Sequence, residues 1–157
     1  MYTNKLLPAM GRGMIAGAVG TIAMTVSERL EMAVTGREAS EVPGEVGAHL
    51  LPGQDPDVPA DVARLSGPVH WVHGIGMGAI RGVLNVAGLR GPEATAAHFA
   101  LFWGGNAALY RTLNVADVPW RWSGNQLASD VLNKGVYAVV TGAVYDAMAG
   151  AADRRDR

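Results

Sequence analysis

The polar groups that interrupt the apolar segments of this chain are Glu28, His73, Arg81, His98, Asp130 and Lys134, with Asn106 and Asn133 as uncharged partners. Ionisable groups at membrane depth are costly, and those that persist commonly mark ion or substrate pathways, proton relays or buried pairs. Arg81 stands near the middle of its segment, directly before Gly82. A cation there suits anion passage, substrate binding or a structural pair with an acid from another segment, and Glu28 and Asp130 are the two acids considered. Asp130 and Lys134 are four residues apart, the spacing at which side chains meet on one helix face. Glu28, Arg29, Asp130 and Lys134 also fall close to predicted helix ends, where charged side chains snorkel to an interface and hold register.

His70 and His73 lie three residues apart, and His98 could approach from another segment. Three imidazoles could hold zinc or copper, and one or two could ligate haem iron. The spacing is not His-Glu-x-x-His, and no acid within the pair completes a metalloprotease site. The chain has no Cys, which removes disulfide frameworks, Cys-bearing zinc sites, iron–sulfur clusters and thiol nucleophiles. No Ser-His-Asp order and no phosphate loop is present. Gly74-Ile75-Gly76-Met77-Gly78 follows no predicted strand, so it is not a dinucleotide fingerprint. The expectation is a protein that is not an enzyme, with no cofactor and no catalytic or metal-ligating residue assigned.

The elements that carry these residues are legible in the composition. Charged residues make up 17 % of the 157 positions, against roughly 25 % in a typical soluble domain. The formal net charge of −1 gives no field that would attract nucleic acid. Arg outnumbers Lys eleven to two beside abundant Ala, Gly and Val, the composition of a bacterium with a GC-rich genome. None of the eight prolines lies inside the four most apolar stretches, and Pro8, Pro68 and Pro92 sit just ahead of three of them. This predicts helices over about 9–33, 68–89, 92–113 and 124–149 in one domain, 1–157. An acidic, Pro-rich loop over 34–67 joins the first two, with a short helix expected near Glu45–Leu51.

Each predicted helix is long enough to cross a hydrocarbon core of about 30 Å. Gly13–Ser27 has only Thr21, Thr25 and Ser27 as polar side chains, and Ala94–Tyr110 only Thr95, His98 and Asn106. A chain this short cannot bury several such helices on every side without lipid. Against that, no uncharged run reaches the roughly 18 residues usual for a span. The expected fold is an all-α polytopic membrane bundle of about four transmembrane helices; the competing reading is a soluble helical bundle.

Lys5, Arg12, Arg90, Arg154, Arg155 and Arg157 fall on the side of the two termini, and Arg29, Arg37, Arg64, Arg111 and Arg121 on the other. With the acidic loop outside, both ends are expected in the cytoplasm of a bacterial inner membrane, and Trp71, Trp120 and Trp122 mark the outer interface. The first helix is followed by Glu28-Arg29 and no A-x-A site, so it is read as retained. Gly74, Gly78 and Gly82 on the second helix, and Gly13, Gly17, Thr21 and Thr25 on the first, form ridges of small residues that let helix backbones approach in lipid. The two ridges suit packing within one chain or across a dimer.

The pairing of GRGMIAGAVGTIAMT in the first helix with HWVHGIGMGAIRGVL in the second resembles small Gly-rich bacterial inner-membrane proteins of unassigned function, the YagU-like type. The resemblance implies a multi-span inner-membrane protein and carries over no catalytic residue. The expected function is a structural or accessory membrane protein whose partners are the lipid bilayer and a second copy or another membrane protein, with no nucleic acid. One alternative is a small oligomeric transporter or channel with Arg81, His73, Asp130 and Lys134 near its pathway. Another is a membrane haem or metal protein.

Overall fold

The computed structural model describes residues 3–155, and among them every regular element is helical. The elements are α1 (Thr3–Thr35), α2 (Val42–Leu50), α3 (Pro59–Val86), α4 (Gly91–Thr112), a 3₁₀ turn (Pro119–Arg121) and α5 (Gly124–Arg155). The Arg155 side chain and Arg157, counted among the basic groups of the terminal side, lie outside the described residues.

The local chemistry at the helix ends explains the boundaries. α1 stops at Gly36, whose φ of +71° suits glycine and whose N–H donates to Met32 O at 2.9 Å. Gly88 at φ +99° turns the chain between α3 and α4, and Leu89 N–H closes the end of α3 on Leu84 O at 3.0 Å. α5 opens with a reciprocal capping box: Ser123 N–H donates to Gln126 Oε1 at 2.9 Å, and Gln126 N–H donates to Ser123 Oγ at 3.2 Å.

Helices α1 and α3 begin well before the prolines predicted to open them, so Pro8 and Pro68 lie inside them. Proline in a helix forfeits one backbone bond, and the packing of the upstream turns outweighs that loss in α3. There α2 lies against the first turns of α3, and a Cβ on Gly44 would overlap Val62 O. The predicted short helix corresponds to α2, and the ends of α3, α4 and α5 shift by a few residues from expectation.

α1 packs on α3 and α5, while α4 packs on α5 and α3, giving an up-down-up-down bundle of four long helices with α1 and α4 on opposite corners. The N-terminus of α1 and the C-terminus of α5 therefore share one end with the α3–α4 turn. α2, the 3₁₀ turn and their links form the other.

The closest approach in the bundle is α1 on α3. A Cβ on Gly13 would overlap Gly78 O, and one on Gly82 would overlap Ala9 O. A Cβ on Gly17 would stand 2.8 Å from Gly78 Cα and 2.9 Å from Gly74 O. Gly74 itself receives the Thr21 side chain. The two small-residue ridges thus face each other within one chain.

Among the described residues one helix, over Lys5–Thr35, is long and apolar enough by composition to cross a membrane. The other three long helices fall short of that test because glycines, histidines, asparagines and paired charges dilute their hydropathy. Many of those diluting groups face the interior: Arg81, His98, Asn106, Asn133 and Lys134 are all buried.

Candidate functional site

Six of the eight polar residues singled out above, Glu28, His73, Asn106, Asp130, Asn133 and Lys134, converge on one cavity of about 460 Å³. It extends from the α1–α2 link and the segment around Trp122 down to Met24, His73 and Phe102. Glu28 comes from α1, His73 from α3, Asn106 from α4, and Asp130 and Lys134 from α5. Met24 and Phe102 also belong to a buried cluster with Tyr137, which underlies the cavity. Phe102 and Tyr137 rings meet at 4.5 Å between centroids, and His73 lies over Phe102 at 5.4 Å.

The polar wall is largely satisfied by its own members. Lys134 pairs with Asp130 and sits over the Tyr110 ring, 5.5 Å from its centroid. Asp130 also accepts from Trp103 Nε1 at 2.8 Å. Lys134 is only 8 % exposed, so this pair is an internal feature of the bundle and not an interfacial anchor. Asn133 Oδ1 accepts from Ser27 Oγ at 2.7 Å and ties α5 to α1. At the rim, Arg37 grips Glu31, with Nη2 donating to Oε2 at 2.7 Å, and Ser129 Oγ donates to the same carboxylate at 2.9 Å. Glu28 takes part in none of the five ion pairs among the described residues.

The histidines can be assigned tautomers from their partners. Thr25 Oγ1 donates to Thr21 O at 2.8 Å, so it must accept from His70 Nε2–H at 3.0 Å. His73 Nε2–H donates to Asn106 Oδ1 at 2.8 Å, and His98 Nε2–H donates to Met77 O at 2.9 Å. Each ring therefore commits Nε2 to a protein acceptor. His70 and His73 border the cavity, while His98 lies deeper, against Tyr137. The three do not assemble into a ligand set, and among the described residues no group of three or more His, Cys, Asp or Glu could hold a metal ion.

Arg81 and His98 stand apart from the cavity, towards the end where the termini lie. Arg81 is fully buried and pairs through Nη2 with Asp146 Oδ1 at 2.5 Å, with its guanidinium carbon 4.6 Å from the Tyr145 ring centroid. Its acid is thus neither Glu28 nor Asp130. Both of those lie at the opposite end of the bundle, more than a helical turn away from the α3 C-terminus. Asp146 lies inside the last predicted helix, close to its C-terminal end, where a charge reads as solvated rather than as the partner of Arg81. A signal was present: Lys134, Tyr137 or Ala138, Thr141 and Tyr145 recur at steps of three and four, tracing the inner face of α5. Tyr137 on that face is fully buried and donates from Oη to Gly74 O at 2.6 Å.

Tyr110, Arg37 and Trp122, to which the sequence assigned no site role, also contribute to the cavity wall. Trp122, expected in an outer aromatic belt, is anchored by Nε1 donating to Asp117 O at 2.6 Å, whereas Trp120 projects outward. Glu28 follows the Gly13, Gly17, Thr21 and Met24 face of α1 and so reaches the cavity from the helix that packs closest on α3. Compared with known proteins, the chain matches no family model, no curated protein and no solved structure.

Proposed function

We propose that this chain is a multi-pass protein of the bacterial inner membrane in which α1, α3, α4 and α5 cross the bilayer, with both termini on the cytoplasmic side. Its role is that of an accessory protein, a rigid glycine-packed bundle that holds a polar cavity at one end. The observation that carries this reading is the inverted distribution of side chains. The largest fully buried groups include Arg81, His98, Thr21 and Thr141 beside the rings of Tyr137, Tyr145 and Phe102, while Leu7, Met14, Ile15, Val19, Ile22, Val26, Leu30 and Val34 are exposed along α1. Those eight recur mainly at steps of three, four and seven and form an apolar stripe about 40 Å long at 1.5 Å per residue. Leu7 is 76 % exposed and Val34 87 %. A water-soluble monomer rarely leaves a contiguous apolar patch of that extent uncovered. Lipid covers such a stripe without a partner, and the interior then gathers the polar groups. Resemblance to the YagU-like type agrees with this reading.

The cavity favours a second role for the same bundle, the binding and transport of a small solute. Glu28, His73, Asn106, Asp130 and Lys134 meet there, in a space of about 460 Å³, within the range of ligand sites. The Met24–Phe102–Tyr137 cluster beneath it argues against an open channel, so transport requires that floor to move.

The deciding experiment is cell fractionation with high-salt and carbonate washes of the membranes. Retention until detergent is added is the expected result. Release into the soluble fraction overturns the spans, and the α1 stripe then belongs to a contact between soluble chains.

A further inference from the structure

The charge balance of the cavity points to a binding site for a small organic monocation, held by the Glu28 carboxylate against aromatic walls. This deepens the solute-binding reading of the cavity and rests on it. The charged side chains that line the cavity are Glu28, Arg37, Asp130 and Lys134. Arg37 is committed to Glu31, and Lys134 to Asp130. In formal charge each pair is neutral, which leaves the Glu28 carboxylate as the charged group lining the cavity with no salt-bridge partner among the described residues. The histidines on α3 do not supply its counter-charge by default: His70 and His73 already donate Nε2–H to Thr25 and Asn106. Withdrawing a lone carboxylate from water is unfavourable, and a cation seated beside it removes that penalty.

Four features select the kind of cation. A bare metal ion needs several hard oxygen or nitrogen ligands, and among the described residues no such group is gathered. The space of about 460 Å³ is far larger than an ion and suits a molecule of drug-like size. Trp122 and Tyr110 line it above the buried Phe102, the Tyr110 ring already facing the Lys134 ammonium, and aromatic faces attract ammonium groups more than they attract anions or neutral polar molecules. The second carboxylate, Asp130, is already occupied by Lys134 and by Trp103 Nε1, so one positive charge is accommodated and a dication is not.

The test uses the full chain purified in detergent and radiolabelled benzyltrimethylammonium in equilibrium dialysis. Saturable binding of one equivalent is expected, with benzenesulfonate, an anion of similar size, failing to compete. Glu28→Gln should weaken binding by about tenfold or more, the loss expected for a charge-assisted contact, and Glu28→Asp should retain most of it. No saturable binding, equal binding by Glu28→Gln, or equal competition by benzenesulfonate overturns the site. If Glu28→Gln does not fold, a second measurement decides with Glu28 intact. The chain has no Cys, so Ser40→Cys places one thiol on the cavity wall and Asp57→Cys one on the exposed α2–α3 link. Benzyltrimethylammonium should slow maleimide labelling at the first and not at the second; equal rates at both, with and without the cation, overturn the proposal. Failure here is separable from failure of the membrane reading: a chain that resists carbonate extraction yet binds no cation removes only the site.

Discussion

Replacing Gly78 with alanine should force α1 away from α3. The added methyl would overlap Gly13 O and stand 2.7 Å from Gly17 Cα and 2.9 Å from Gly17 N. Non-bonded carbon atoms settle at about 3.5–4.0 Å, so the two helices must open by roughly 1 Å at this point. All three obstructing atoms are backbone, and no rotamer change relieves the clash. Overpacking of this kind costs about 1–3 kcal/mol, offset by up to about 1 kcal/mol because alanine is the better helix former. A net loss of about 1–2 kcal/mol follows, a factor of roughly 5–30 in the folding equilibrium. Gly76 is the internal control. It lies two residues away on the same helix, is exposed, and a Cβ there meets nothing within 4 Å. Gly76→Ala should therefore be neutral or stabilising by up to about 1 kcal/mol. Unfolding of the two purified variants in mixed micelles, followed by circular dichroism against SDS fraction, measures the difference directly. If Gly78→Ala matches Gly76→Ala, the close approach of α1 and α3 is wrong.

Two further predictions concern charge. Asp146→Asn should destabilise by roughly 2–4 kcal/mol, because it strands a guanidinium that is 0 % exposed. Arg81→Met should be milder, since the Asp146 side chain it leaves behind is 38 % exposed and can hydrate; thermal unfolding of both variants checks the order, and a larger loss for Arg81→Met refutes it. At the α4–α5 link, the Val118 N–H and the Arg121 guanidinium hold the Asp117 carboxyl below the usual carboxylate range. A depressed folded-state value means that its contribution is complete above the ordinary carboxylate pKa and disappears as pH falls through the lowered one. Proteolytic susceptibility of the Val115–Ser123 link should rise over that acidic window, and Asp117→Asn should show the high susceptibility at every pH.

The convergence of Glu28, His73, Asn106, Asp130 and Lys134 could not be read from the chain, because they come from four different helices. The spacing of Asp130 and Lys134 gave their pairing, since a four-residue step fixes neighbours on a helix whatever surrounds it. The periodicity of α5 marked its inner face but not the partner of Arg81: Asp146 is 65 positions away, and only the parallel docking of α5 beside α3, with their C-terminal ends together, brings it near. Pro8 and Pro68 misled for a related reason. Local propensity put helix starts there, whereas contacts made by Gly44 and Val62 extend α3 upstream of Pro68.

What the sequence by itself determined is the set of helices, the short helix within the acidic link, and the small-residue ridges at Gly13, Gly17, Gly74, Gly78 and Gly82. These depend on propensities, caps and periodicities that act over a few residues. Tertiary structure alone decided that the two ridges face each other, that Arg81 finds Asp146, and that Glu28 is left facing a cavity without a counter-ion. Those outcomes depend on the rotation of each helix about its axis and on which neighbour it meets. Periodicity names a face but not its partner, so they are fixed only when all four long helices pack at once.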